Sequence, residues 1–175
     1  LTDKDWHKFG TKADVPIELP DNYLFCYFVG DRAEYSYHVR DVIKRSGVKN
    51  VVVATLKGVS NLSIQNAVMI HNAGPVEFVH LIEYATLVCT DSFHATAISI
   101  NFAKPFVELL RFADKEEKSQ NSRIYDLLTH YGLKEHIYSD THTQWIHPVD
   151  YKSVHEILHS DRRHSWDYLR LSIEN

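Results

Sequence analysis

The sequence predicts an α/β fold: a Rossmann-like domain with a mainly parallel sheet and helices on both faces. Short apolar runs alternate along the chain with segments whose apolar residues recur at helical spacing. This alternation indicates strand–helix–strand units with right-handed crossovers. The length of 175 residues fits one domain with a substantial core, and no internal repeat or low-complexity segment is visible.

The first 22 residues are predicted to form a leading helix and a linker. Residues 1–10 can form a short helix that carries Trp6 and Phe9. Residues 11–22 contain two prolines and are typical of a linker. The Rossmann-like domain is therefore expected to occupy residues 23–175.

Five apolar runs predict the strands. They lie at residues 23–29, 50–54, 67–70, 86–90 and 105–110. Because the clearest of these runs are apolar on successive residues, both faces of the sheet are expected to be covered. Two polar stretches predict loops, at residues 55–63 over the carboxyl edge of the sheet and at the highly charged residues 114–120.

Helical stripes fill the intervals between and after the strands. They span residues 35–43, 78–85, 93–102, 124–131 and 151–158, and a separate final helix is expected around residues 166–173. Pro75 suits the first position of the second of these helices, because its missing N–H would have no helical partner there. Gly47 and Gly132 lie where helix ends are expected.

The central stretch of the chain holds the strongest candidates for a functional site. The strand at residues 86–90 leads into Asp91 and Ser92, two residue types that cap helix N-termini, and the next helix is apolar nearly all round. This arrangement predicts Ser92 and His94 at the carboxyl edge of the sheet. Open α/β sheets bind ligands at that edge, and helix N-termini favour anions.

Three other side chains are weaker candidates, and His94 itself has a simpler explanation. Glu77 lies in the first turn of its helix, where the helix dipole stabilises a carboxylate in any case, so a structural role is the simpler interpretation. Arg111 follows the last strand and Arg123 opens the next helix. Either guanidinium could bind a carboxylate or phosphate, although most arginines are simply solvated. A lone histidine such as His94 is by default a core residue, and its place at a helix start is what makes it a candidate.

The stretch from His155 to His159 matches the H-E-x-x-H pattern of zinc proteases. A zinc site would also need a third ligand and a cleft, and little chain follows this helix. We therefore interpret these residues as a surface helix and predict no metal site.

Composition narrows the function and the compartment. The net charge of -4 gives no reason to propose a nucleic acid partner, and no apolar run approaches membrane-spanning length. Cys26 and Cys89 both fall in predicted strands, which fits reduced thiols in the cytoplasm. The chain begins with Leu1 and its only methionine is Met69, so we expect it to be part of a longer protein.

Several motifs together resemble the polysaccharide pyruvyl transferase family. They are Gly74-Pro75-Val76-Glu77-Phe78, Asp91-Ser92-Phe93-His94-Ala95-Thr96-Ala97-Ile98-Ser99-Ile100, Pro105-Phe106 and Asn121-Ser122-Arg123-Ile124. The opening residues 1–6 and the tail 163–169 also resemble bacterial members. The similarity covers nearly the whole chain but only the second half of a family protein. Its most specific part is the Ser-Phe-His block, and Ala95 departs from the glycine usual in the family.

The resemblance implies the C-terminal domain of a GT-B-like two-domain transferase, inactive without its N-terminal domain. It implies transfer of a pyruvyl group from phosphoenolpyruvate to a saccharide or lipid-linked saccharide in bacterial exopolysaccharide synthesis, in the cytoplasm or at the inner face of the membrane. No further cofactor is expected. His94 would donate a proton or hold the departing phosphate, and Ser92, Arg111 and Arg123 would bind the donor's anionic groups. Glu77 would bind donor or acceptor.

Three alternatives stay open at this point. A GT-B glycosyltransferase would use a nucleotide sugar at the same edge of the sheet. A non-catalytic domain would only bind an anionic metabolite or a partner chain. A zinc hydrolase built on His155 and His159 is the most distant of the three.

Overall fold

The computed structural model describes residues 2–13, 15, 18–55, 62–113 and 119–174. Within them, the strands are β1 (Leu24–Tyr27), β2 (Val51–Ala54), β3 (Val68–Ile70), β4 (Leu87–Thr90) and β5 (Phe106–Glu108). The helices are α1 (Asp3–Gly10), α2 (Tyr35–Ser46), α3 (Pro75–Glu83), α4 (Phe93–Asn101), α5 (Asn121–His130) and α6 (Tyr151–Glu174). Two short 3-10 helices, Lys134–His136 and Gln144–Ile146, lie between α5 and α6.

The five strands form one parallel sheet in the order β3-β2-β1-β4-β5. The predicted parallel α/β fold is therefore confirmed. The strand order reverses between β1 and β4, where Tyr27 lies opposite Thr90. In open sheets of this kind, the crevice beyond the carboxyl ends of such a pair of strands is where ligands bind.

Helices cover both faces of the sheet, as the sequence predicts. On one face, α3, α4, α5 and the start of α6 enclose a core around Phe25, Val52, Val88 and Phe106. On the other face, α2 and Trp145 cover Leu24, Cys26, Val53 and Cys89. The apolar runs in the strands are thus buried on both sides, which explains why they do not alternate with polar residues.

The leading segment packs directly on the domain. Thr2 caps α1 in a reciprocal hydrogen-bonded arrangement with Asp5, and α1 lies against α3. His7 pairs with Glu83 of α3. The predicted linker is described except for residues 14, 16 and 17. The contact between α1 and α3 brings the aromatic side chains of α1 close to the edge of the sheet.

The two final helices predicted from the sequence are one. α6 runs unbroken from Tyr151 to Glu174. The polar stretch in its middle, which interrupts the apolar pattern, is held by polar contacts instead: Asp161 accepts from Tyr131 at 2.9 Å, and Arg162 donates to Asn101 at 2.6 Å.

The other boundaries agree with the sequence to within a few residues, and the strands are shorter than predicted. Gly47 ends α2 with a φ of 76°, in the left-handed region that glycine adopts at helix ends. Most of the two predicted loops, residues 56–61 and 114–118, lies outside the described residues.

Candidate active site

The start of α4 is formed by Ser92 and His94, as the sequence predicts. Ser92 is the N-cap, and its hydroxyl accepts from the Ala95 N–H at 3.5 Å. The Ser92 N–H donates in turn to the Thr90 hydroxyl at 3.1 Å. His94 is the second residue of the helix, and its side chain is exposed. The imidazole therefore lies at the carboxyl edge of the sheet and is open to a ligand.

A cavity of about 720 Å³ opens beside His94. This volume is in the range of small-molecule sites in proteins. Ser92 and His94 line it together with Asp5 and with aromatic residues of α1, β1 and α3, namely Trp6, Phe9, Tyr27 and Phe78. The wall of the cavity thus depends on α1, a helix far from α4 in the sequence.

Asp91, predicted as a cap together with Ser92, has another role. It is 2% exposed, and one carboxylate oxygen accepts from the Val29 N–H at 2.7 Å. The other oxygen accepts from the Gly30 N–H at 2.7 Å and from the Tyr35 hydroxyl at 2.8 Å. Burial and the nearby Asp91 carboxylate raise the pKa of Tyr35, so its hydroxyl stays a donor. Asp91 therefore ties β4 to the loop after β1 and to the start of α2.

Arg111 completes this network. Its Nε donates to the Asp91 carboxylate at 3.2 Å, and its Nη2 donates to the Asp91 carbonyl at 3.1 Å. The packing is tight, because a Cβ added at Gly30 would lie 2.8 Å from the Asp91 carboxylate and 2.9 Å from Arg111. We name Asp91, Gly30, Tyr35 and Arg111 the Asp91 network.

Arg123 lies over the Phe93 ring and outside the lining of the cavity. Its guanidinium carbon is 5.9 Å from the centre of the Phe93 ring, and it also donates to Gln120. The Phe93 ring makes an edge contact with the His94 ring at 5.9 Å. The depression between Phe93, Arg111 and Arg123 has a volume of only about 20 Å³. The structure therefore brings His94 and Ser92 together at the cavity and places neither arginine in the cavity wall.

Glu77 lies in the first turn of α3 and is partly buried. Its Oε2 would be 2.7 Å from a Cβ added at Gly74, the N-cap of α3. Gly74 itself lines the cavity, whereas Glu77 does not. The predicted binding role of Glu77 stays a prediction.

Sequence reasoning missed Glu108, which is fully buried at the end of β5. Its Oε2 accepts a hydrogen bond from the Thr96 hydroxyl of α4, and its Oε1 has no hydrogen-bond partner within the described residues. Burial raises the pKa of Glu108 well above its usual range. The only sequence signal was a carboxylate inside an otherwise apolar strand.

The H-E-x-x-H stretch lies on α6, as predicted. The ring of His155 contacts the carbonyl of Ile100 at 3.2 Å, and His159 is exposed. Across the described part of the chain, no three His, Cys, Asp or Glu side chains are arranged to hold a metal ion. None of the described helices has both the length and the apolar character needed to cross a membrane.

Solved structures that resemble this chain are UDP-GlcNAc 2-epimerases. That from Methanocaldococcus jannaschii is 14% identical with a TM-score of 0.49, and the match covers 89% of this chain and 42% of that one. That from Neisseria meningitidis bound to UDP-GlcNAc is 12% identical with a TM-score of 0.47, and the match covers 90% of this chain and 40% of that one. This chain thus spans less than half the length of either structure. No curated protein matches it.

The sequence model of the polysaccharide pyruvyl transferase family matches residues 6–110, well over half of the chain. The match runs from α1 to the end of β5 and includes Glu77, Ser92 and His94, but it stops before Arg111 and Arg123. The chain belongs to the polysaccharide pyruvyl transferase family.

Proposed function

We propose that the protein transfers a pyruvyl group from phosphoenolpyruvate to two hydroxyls of one sugar in a bacterial polysaccharide, forming a cyclic ketal. The observation that carries the proposal is the position of His94. Its exposed imidazole lies at a helix start in the crevice between β1 and β4, beside a cavity of about 720 Å³. Family membership gives the reaction class.

The reaction requires a proton donor, and His94 fits that role. Imidazole is the side chain best suited to exchange protons near neutral pH. Protonation of the methylene carbon of phosphoenolpyruvate makes the neighbouring carbon electrophilic, and one sugar hydroxyl attacks it. The second hydroxyl attacks the same carbon as the bond to phosphate breaks. One of the two hydroxyl protons restores the imidazolium, and the other passes to the departing phosphate.

The donor carries a phosphate and a carboxylate, so it needs positive groups near His94. The first-turn N–H groups of α4 provide partial positive charge at the helix N-terminus. Arg123 provides a full positive charge. Its exposed guanidinium lies over the Phe93 ring, which in turn contacts the His94 ring. Arg111 adds charge from within the Asp91 network. In this scheme the donor lies across Phe93, between Arg123 and His94.

The test is an assay of the full-length protein with phosphoenolpyruvate and a panel of sugar acceptors. Phosphate release should accompany a product whose mass is that of the acceptor plus the ketal, and phosphoenolpyruvate alone should raise the melting temperature. Stabilisation by a UDP- or CMP-sugar together with none by phosphoenolpyruvate would contradict the proposal and favour a glycosyltransferase.

A further inference from the structure

The cavity beside His94 differs chemically from what the donor needs. Within the described residues, its wall contains no lysine or arginine, and its one carboxylate is Asp5. Hydrogen bonds from Thr2 lower the pKa of Asp5, so this side chain is an anion near neutral pH. Away from the start of α4, where Ser92 and His94 lie, a small dianion placed in this cavity would meet a negative charge and apolar walls. The cavity therefore suits a neutral molecule.

The aromatic rings that line the cavity form two pairs. Trp6 and Phe9 of α1 meet edge to face, with ring centres 6.4 Å apart. Tyr27 of β1 and Phe78 of α3 meet at 4.7 Å. Sugar rings have apolar C–H faces that stack on aromatic rings, and their hydroxyl edges accept polar partners. Asp5, Ser92 and His94 offer such partners in the same cavity.

We infer that this aromatic cavity holds the acceptor as a neutral sugar ring stacked on the side chains of α1, and that the donor stays on the Arg123 side of Phe93. The inference rests on the proposed function. It assigns the acceptor to the cavity that His94 lines and the donor to the neighbouring surface at Phe93, whose ring contacts both the His94 ring and the Arg123 guanidinium. It also gives α1 a direct part in binding the acceptor.

The charge of the cavity predicts which sugars fit. A methyl glucoside is uncharged and can stack, whereas the corresponding methyl glucuronoside adds a carboxylate near Asp5, and the described wall contains no lysine or arginine to offset it. Both compounds have the same ring, so comparing them isolates the effect of charge. Methyl galactoside and methyl mannoside extend the comparison to other neutral rings.

The experiment measures binding of these methyl glycosides to the full-length protein by saturation-transfer NMR, with phosphoenolpyruvate binding measured by calorimetry on the same samples. The test variants are Trp6→Ala and Phe9→Ala, and the second is the milder change because Phe9 is already 37% exposed. Trp166→Ala is the matched control, since Trp166 is 69% exposed on α6 and does not line the cavity. Melting temperatures report whether each variant is folded.

We expect a neutral glycoside to bind the native protein and Trp166→Ala, and to bind about tenfold or more weakly in at least one folded cavity variant, as for other truncated aromatic anchors. Phosphoenolpyruvate binding should be unchanged in that variant, and the glucuronoside should bind more weakly than the glucoside. Unchanged glycoside binding in both cavity variants, or loss of phosphoenolpyruvate binding alone, would overturn the inference. Failure of the native protein to bind phosphoenolpyruvate would instead contradict the proposed function, whatever the glycosides do.

Discussion

The β4–α4 turn carries two ionisable side chains, Asp91 and His94, that differ in burial and in hydrogen bonding. On one side, the buried Asp91 is bonded to two backbone N–H groups, a tyrosine hydroxyl and Arg111. On the other side, His94 is exposed beside an open cavity. Polar groups that already have partners hold segments together, whereas a polar group facing empty space is available to a ligand. We therefore propose that the Asp91 network stabilises the fold and that His94 carries the chemistry.

The largest expected effect is that of Asp91→Ala on stability. The change leaves two backbone donors, the Tyr35 hydroxyl and the Arg111 charge without their buried partner. Removing one member of a buried charged network costs about 3–5 kcal/mol. Denaturant unfolding of the full-length protein measures this loss.

Asp167→Ala is the matched control for that experiment. The Asp167 carboxylate pairs with Arg170 at 3.5 Å on an exposed stretch of α6, and such pairs contribute about 0–1 kcal/mol. A loss at Asp91 no larger than that at Asp167 would show that the network does not hold the fold.

Arg111→Gln should have a smaller effect on stability, about 1.5–3 kcal/mol, the usual range for hydrogen bonds to charged groups. Arg123→Gln should stay within about 0.5 kcal/mol, because its side chain is exposed. Calorimetric titration with phosphoenolpyruvate should then show weaker binding for Arg123→Gln. A free energy of unfolding for Arg111→Gln equal to that of the native protein would show that Arg111 does not stabilise the Asp91 network.

Glu108→Gln should make stability less dependent on pH. Because burial raises the pKa of Glu108, the folded protein keeps this carboxyl protonated at pH values where the unfolded chain has lost the proton. Stability is then fully present below the ordinary pKa of a glutamate and falls as pH rises toward the folded value, by up to about 1.4 kcal/mol per pH unit. Glutamine cannot ionise, so the variant should gain on the native protein as pH rises.

Urea unfolding between pH 5 and pH 8 compares the two proteins. Glu156→Gln, at an exposed site on α6, is the control and should follow the native protein at every pH. Parallel stability curves for the native protein and Glu108→Gln would contradict a raised pKa for this carboxyl.

The sequence was informative where structure depends on neighbouring residues. Apolar runs predicted the strands, and Ser92 and His94 were correctly placed at a helix start because a strand led directly into a capping residue. The sequence predicts two helices where the structure has only α6, because the middle of α6 is polar. Its continuity depends on contacts to Tyr131 and Asn101, which are distant in the sequence.

The site was less predictable because its parts come from separate segments. The cavity forms only when α1 packs on α3 and brings Trp6 toward His94. Arg111 is predicted to bind an anion because it directly follows the last strand, and nothing in its local sequence shows that Asp91 accepts from it. A pattern of residue types indicates which groups can bind an anion, and only the fold shows which of them are already engaged.

The most direct test measures turnover and melting temperature together for His94→Asn in the full-length protein, with phosphoenolpyruvate and an accepted sugar. His159→Asn, an exposed histidine on α6, is the control. We predict that His94→Asn lowers turnover about 100-fold or more, as expected for loss of a general acid, without a change in melting temperature. Turnover of His94→Asn equal to that of His159→Asn would contradict the assignment of the chemistry to this side of the turn.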